Sequence, residues 1–393
     1  MSTLNDVVIT KLSGGLGRRN PEQDMVSGLL FEGIATSKLA LDKLERIASL
    51  EDAIALGITE DYDFKGQSAY YQIQQFFRMN PSGDLYIMAV AAESYSEVVE
   101  KAMEMQEKAN GNIRQMAIIY SASTPFSQTL AAIAKAQVQA DLAYADYMPF
   151  EIILEGKGFD FESEADSSSL ADLNSENVSV VIAMDLDKLK EKNFNYTNSA
   201  AVGLALGTLS KAKVSENIAW IEKFNLTGDG FSKPGFVGGK EIKSLGDLRT
   251  LNDKRYIFTQ THTGLAGVYF NDSHTCTAGT EDFAYIENNR TINKATRLLR
   301  TALLPKLASP VLVDIDGKLP QSVSKSFEGL CRNALEGMVA NQEVSAFDVY
   351  VDPKQNILAT SELKVKAEIT PVGTARKIKV DLGFKNPFGI DQA

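Results

Sequence analysis

A chain of 393 residues, 44% hydrophobic and 23% charged, is long enough for a large buried core divided over two or three domain-sized units. Its formal net charge of −11 argues against nucleic acid as the main partner, because phosphate binding needs a local excess of Lys and Arg. No run of about 18 apolar residues is present to cross a bilayer, the opening residues lack the basic-then-apolar pattern of a secretory signal, and the two cysteines suit a reducing cytoplasm rather than a disulfide framework.

Residues 4–12 predict a short strand centred on β-branched Val7, Val8 and Ile9. A Gly-rich loop follows, and Pro21 keeps any helix from crossing it. Met25–Phe31 reads as a buried strand. Ser49 and Asp52 form a capping-box-like start for a helix that ends at Gly57. Tyr70, Ile73, Phe76 and Phe77 recur at helical spacing, and a strand Asp84–Val90, a helix Tyr95–Asn110 stopped by Gly111, a strand Met116–Tyr120, an Ala-rich helix Phe126–Tyr147 and a strand Phe150–Leu154 come next. Alternation of this kind is the mark of an α/β layer architecture with a largely parallel sheet.

Between Gly158 and Asn177, six unopposed acidic residues and three consecutive serines predict a solvated loop. A strand Val178–Met184 and a helix of small residues, Ala200–Lys211, follow, and Trp220–Asp253 reads as irregular or small β structure. Arg255–Thr259 and Ala266–Phe270 are predicted strands, and Asn289–Leu304 and Ser324–Val339 predicted helices. The last part alternates apolar and polar residues, first at Leu363, Val365, Ala367 and Ile369 and again at Ile378, Val380 and Leu382, with a turn at Thr370–Thr374 between them. That period-two pattern predicts a hairpin or two half-exposed strands.

The sharpest catalytic pattern is Gly14, Gly15 and Gly17 directly after the first strand, with Asp185 and Asp187 further on. Backbone N–H groups of such a turn can cradle phosphates, and paired carboxylates can hold Mg²⁺, which together suggest a nucleotidyltransferase similar to sugar-nucleotide pyrophosphorylases. Asn20 and Pro21 weaken it, because they interrupt the loop where the phosphate-facing helix should begin. The loop is neither a Walker A motif nor a dinucleotide fingerprint. His262, His274, Cys276 and Cys331 could in principle form a Cys₂His₂ zinc shell, but they lack compact ligand spacing, and buried or satisfied roles fit them better. Asp314, Asp316 and Gly317 read as an Asp-Gly turn rather than a calcium loop. Arg290, Lys294, Arg297 and Arg300 fall on one side of a helix, which is either a solvated face or a basic stripe for an acidic surface of a second copy.

Three stretches in order resemble the contractile tail sheath family of phage tails and phage-like injection systems. The first is Ser49–Gly57 with the aromatic helix Tyr70–Phe77 and the strand from Asp84, and the second is the small-residue helix Ala200–Gly207. The third is Gly267–Asp272, Asp282–Ile286 and the basic helix from Asn289, whose first two positions are Asn289 and Arg290 where the family usually has two arginines. The resemblance implies an α/β sheath domain with a central mixed sheet flanked by helices, a variable inserted outer region, and extended N- and C-terminal strand arms. In this chain that corresponds to an arm at 1–24, a first α/β part at 25–157, a variable outward-facing region at 158–250, a C-terminal sheath domain at 251–370 and an arm at 371–393. It implies intersubunit strands at Val7, Val8 and Ile9 and at Ile378, Val380 and Leu382. Also implied are stacked hexameric rings of the chain itself, an inner tube protein, baseplate and terminator proteins, and contraction that drives the tube through a target envelope. No catalytic residue, cofactor or metal is expected, nor any nucleic acid or membrane insertion. The expected location is the host cytoplasm during assembly and then a virion tail or phage-like particle.

Overall fold

The structure, a computed structural model, describes residues 23–385 except 65, 163–167, 189–198, 229–230 and 242–243. The expected strand at Val7, Val8 and Ile9 and the Gly14–Gly17 loop lie outside the described residues.

In chain order the first part comprises β1 (Val26–Glu32), β2 (Leu44–Ile47), α1 (Leu50–Ala55), α2 (Glu60–Asp63), α3 (Ala69–Met79), β3 (Asp84–Val90), α4 (Tyr95–Glu100), α5 (Ala102–Lys108), β4 (Gln115–Ile119), α6 (Phe126–Ala145), β5 (Glu151–Glu155) and β6 (Val178–Val181). Its six strands make one sheet in the order β2-β3-β1-β4-β5-β6. Every pairing is parallel except that of edge strand β2 with β3. The parallel strands wind outward in both directions from β1, the doubly wound arrangement of an α/β sheet. All residues of β4, β5 and β6 are buried, as a parallel sheet covered on both faces requires. The expected helix Tyr95–Asn110 is two helices that meet at Lys101.

The second part runs through β7 (Ala183–Asp185), α7 (Val202–Lys211), β8 (Pro234–Phe236), β9 (Lys240–Glu241), α8 (Leu245–Asp253), β10 (Thr259–His262), β11 (Leu265–Phe270), α9 (Ile286–Leu303), α10 (Gln321–Ala340), β12 (Val344–Tyr350), α11 (Ile357–Thr360) and β13 (Lys366–Pro371). Helix α7 packs on α3 and reaches β1, β4 and β5. Gly203 and Gly207 make that approach possible. A methyl at Gly203 would overlap the Gln72 carbonyl, and one at Gly207 would lie 2.6 Å from the Phe76 oxygen. The Gln72 side chain bridges the two helices, donating to Ala200 O at 2.7 Å and accepting from Gly203 N at 2.6 Å.

Within the expected variable region 158–250, the described residues supply β6 to the main sheet and α7, buried from Val202 to Ser210, to the main core. The acidic segment is anchored too: Phe159 and Leu170 are buried with that core, and Ser175 bridges to Cys276. Polar composition marked it as solvated, but Phe159 near its start and Leu170 within it hold it down. The run Arg255–Thr259 was expected as a strand. Only Thr259 belongs to β10, Ile257 makes a single bridge to Val181, and Arg255 closes a turn with φ of 73°.

A second, smaller core contains Ala295, Leu298, Cys331, Leu335, Met338, Val344 and Val349, between α9, α10 and the antiparallel pair β12–β13. The two alternating runs near the end thus do not form a hairpin with each other. The first pairs with β12, where Phe347 faces Ile369, and the second has no strand partner among the described residues.

Candidate assembly site

In doubly wound sheets, ligands sit outside the carboxyl ends of the strands where the winding reverses, here between β1 and β4. That corner is closed by its own side chains. Ser121 Oγ lies 3.1 Å from Glu32 O and 2.8 Å from Gln67 Oε1, and the Tyr120 hydroxyl donates to Glu93 O at 2.8 Å. Asp185 does not offer a free carboxylate, since its Oδ1 accepts from Lys233 N at 2.9 Å and Asp187 N at 3.2 Å. Asp187 accepts from Ser232 Oγ at 2.6 Å. Among the described residues no group of three or more His, Cys, Asp or Glu is placed to hold a metal ion.

The four suggested zinc ligands are scattered. Cys276 lies in the main core and Cys331 in the smaller one, and burial raises both thiols. His262 stands on the β10–β11 hairpin beside Tyr269, while His274 Nε2 is 2.9 Å from Asn252 Oδ1 and burial pulls its imidazole down to about 3. The Asp-Gly turn forms as expected: Asp314 Oδ1 accepts from Asp316 N and Lys318 N, and Gly317 has φ of 75°.

Helix α9 overturns the reading of its basic stripe. Arg290, Lys294 and Arg297 are 3%, 4% and 5% exposed, so they face neither solvent nor a second copy. Lys294 Nζ lies 2.6 Å from Asp24 Oδ2 and 2.7 Å from Glu343 Oε1, and Arg297 is 2.7 Å from Asp24 Oδ1. Arg290 donates to the carbonyls of Ala212 and Lys213, at the carboxyl end of α7, and to Asp24 O. Helix-end carbonyls lack intrahelical partners and carry the negative end of the dipole, so a buried guanidinium satisfies both needs. Arg300, half-buried, lies over the Tyr147 ring at 3.5 Å. The sequence hid this because Asp24 is 270 residues from Lys294. Asn289, standing where an arginine is usual, is buried and donates to Glu176 O and Phe283 O.

What the molecule does leave open is strand edge. The pair β12–β13 forms a sheet of two strands, with no third strand beside it among the described residues. Beyond it, residues 372–385 form no strand, and Ile378, Val380, Leu382 and Phe384 are 80%, 78%, 95% and 110% exposed. The pair packs one face on α10 but leaves its outer backbone edges without a strand partner among the described residues, and a row of exposed apolar side chains at strand spacing is a surface that a partner covers. One residue of this tail is held. Arg376 Nε lies 2.9 Å from Asp272 Oδ2, its guanidinium pairs with Glu287, and it stacks over the Tyr285 ring at 3.4 Å. Nothing in the sequence pattern singled it out. Among the described residues, no helix is long and apolar enough to cross a membrane.

The fold is similar to that of contractile sheath proteins. The chain is similar to the anti-feeding prophage helical sheath in its contracted state, with TM-score 0.65, 14% identity, and 98% of this chain and 100% of that one covered. It is equally similar to the contracted sheath complex of an extracellular contractile injection system, PVC, with TM-score 0.66, 12% identity and 98% of each chain covered. The sheath tail protein of Listeria innocua matches with TM-score 0.52 and 8% identity over 89% of this chain and 95% of that one. No curated protein sequence matches. The sequence fits the profiles described as DUF2586, N-terminal domain, over residues 4–274 and DUF2586, C-terminal domain, over 282–389, and the chain belongs to the DUF2586 family. The two profiles meet just ahead of α9.

Proposed function

We propose that this protein is the sheath subunit of a contractile injection device, stacking as hexameric rings around an inner tube and shortening to drive that tube through a target envelope. The observation that carries the reading is the pairing of an unfinished two-stranded sheet with an exposed, alternating arm on a fold similar to sheath proteins over nearly its whole length. Residues Ile378, Val380 and Leu382 of one copy add a strand to β12–β13 of a neighbour, and Val7, Val8 and Ile9 do the same from the other arm. Backbone hydrogen bonds supply affinity in such strand addition, and alternate side chains supply register. Contacts of this kind run head to tail and do not close within a ring, so they generate a helical tube. Each added hydrogen bond contributes about 1 kcal/mol net, a small amount multiplied around every ring. Free energy stored on assembly performs the work, so no nucleotide or metal is needed. Baseplate and terminator proteins cap the two ends, and assembly takes place in the host cytoplasm before release as a tail or phage-like particle.

Micrographs and light scattering of the purified protein over a concentration series test the proposal, with tubes or rings expected. Val380→Pro removes one donor and kinks the arm. Because Val380 lies outside every strand of its own subunit, the variant keeps its far-UV circular dichroism and solubility but forms no tubes. Normal tubes from Val380→Pro would remove the arm from the interface, and a protein that stays monomeric at high concentration with or without a tube partner would sink the sheath reading itself.

A further inference from the structure

Helix α9 holds more than the core. Glu287, Arg290, Lys294 and Arg297 follow one another at spacings of 3, 4 and 3, which places them on one face of the helix. The two ends of that face grip different parts of the chain. Lys294 and Arg297 hold Asp24, two residues ahead of β1, where the N-terminal segment joins the central strand. Glu287, in the first turn, holds Arg376, where the exposed C-terminal segment begins. Both grips are built into the molecule. Glu287, Lys294 and Arg297 are at most 5% exposed. Asn217 Nδ2 donates to Asp272 Oδ1 at 2.5 Å and Glu287 Oε1 at 3.1 Å, and Ser273 Oγ donates to Glu287. These bonds aim the two carboxylates at the guanidinium, and Tyr285 floors the pocket.

We infer that α9 is the common anchor of both arms, with Asp24 and Arg376 as the pins, so that a pull on one arm reaches the other along a single helix. Glu287 and Arg297, which hold the two pins, are about 15 Å apart along the helix at 1.5 Å per residue. Acid sits at the helix start and bases lie further on, the order its dipole favours. The central sheet is then bypassed: load enters at Arg376, runs down α9 and leaves at Asp24 without straining the parallel ladder. Arg376 and Asp24 are positioning residues for assembly, and the inference deepens the sheath reading on which it rests.

The test uses the full-length protein with Arg376→Gln, Asp24→Asn, and Lys379→Gln as a control that removes an arm charge but no pin. Trypsin cleavage at Lys377, present in every variant, is followed on unassembled subunits. Arg376→Gln accelerates it by about tenfold or more, the population change expected on losing a charge-assisted buried pair, while Asp24→Asn leaves it unchanged. Assembled tubes are then sheared. Tubes of either pin variant break at lower shear than those of wild type or Lys379→Gln, and the double variant breaks no earlier than the weaker single one, since the two pins lie in series. Arg376→Gln combined with Glu287→Gln removes the stranded buried acid and serves if the single variant misfolds. Unchanged cleavage in Arg376→Gln overturns the anchor even if the wild type never forms tubes, a result that would defeat the sheath reading separately. Tubes of wild-type strength from both pin variants overturn the load path.

Discussion

Replacing Lys294 by methionine keeps the bulk of the side chain and removes the cation shared by Asp24 and Glu343. Asp24 keeps Arg297 at 2.7 Å, but Glu343, 6% exposed, loses the ammonium that meets its Oε1, and its Oε2 has no hydrogen-bond partner. Stranding a buried charge in this way costs about 3–5 kcal/mol, a large share of a typical total of about 5–15 kcal/mol. Adding Glu343→Gln neutralises the stranded group and should return about 1–3 kcal/mol, the coupling expected of residues in direct contact. Urea titration of dilute, unassembled subunits, arranged as a double-mutant cycle, measures both quantities. If Lys294→Met unfolds within about 1 kcal/mol of wild type, or the cycle shows no coupling, the network is not what holds α9 to β1 and β12. A variant of wild-type stability that no longer assembles would return the stripe to a contact between subunits.

Glu151 is buried with its carboxyl pushed up to about 8 by burial, against the pull of Asn177, Arg290 and Asn293. A folded-state value above the unfolded one of about 4.5 means that stability is full below that pH and is lost as pH rises through about 8. Glu151→Gln mimics the protonated acid, so its thermal stability should stay level from pH 5 to 9 while that of wild type falls, with a gap of roughly 2–5 kcal/mol at the alkaline end. Parallel curves would place the charge change elsewhere. Gly203→Val drives a side chain into the Gln72 backbone and should separate α3 from α7, giving an insoluble protein or one destabilised by about 3 kcal/mol or more. A soluble variant of wild-type melting temperature would mean that the helices do not touch there.

Much of the first part was legible because local signals agree with the fold. Ser49 caps α1 by accepting from Asp52 N at 3.3 Å, Gly57 and Gly111 take φ of 90° and 65° at helix ends, and the apolar runs of β1, β3, β4 and β5 are covered on both faces. Helix α8 was overlooked although it carries the same kind of cap, Ser244 accepting from Asp247 N at 3.1 Å. The glycines around it drew attention to loops instead. The site was far less legible. Whether a lysine is solvated or buried depends on what folds over it, and the partners of Lys294 and Arg376 come from residues 24, 343, 272 and 287. Exposure of the arm was foreseeable from its alternation, but the pattern alone did not decide that, among the described residues, it has no strand partner. That depended on β12 taking β13, and the sequence offers Leu363–Ile369 and Ile378–Leu382 as equally good strands.

The smaller core rests on only seven buried residues and a sheet two strands wide. If neighbours lend strands to this sheet, as proposed above, each added strand enlarges the smallest core of the subunit, and growth of the polymer becomes nucleated. The first ring would then form slowly, because no copy in it meets a completed sheet, and later rings would add quickly. The expected kinetic signature is a lag phase that preformed rings abolish, and linear growth without a lag would break the link between the small core and assembly.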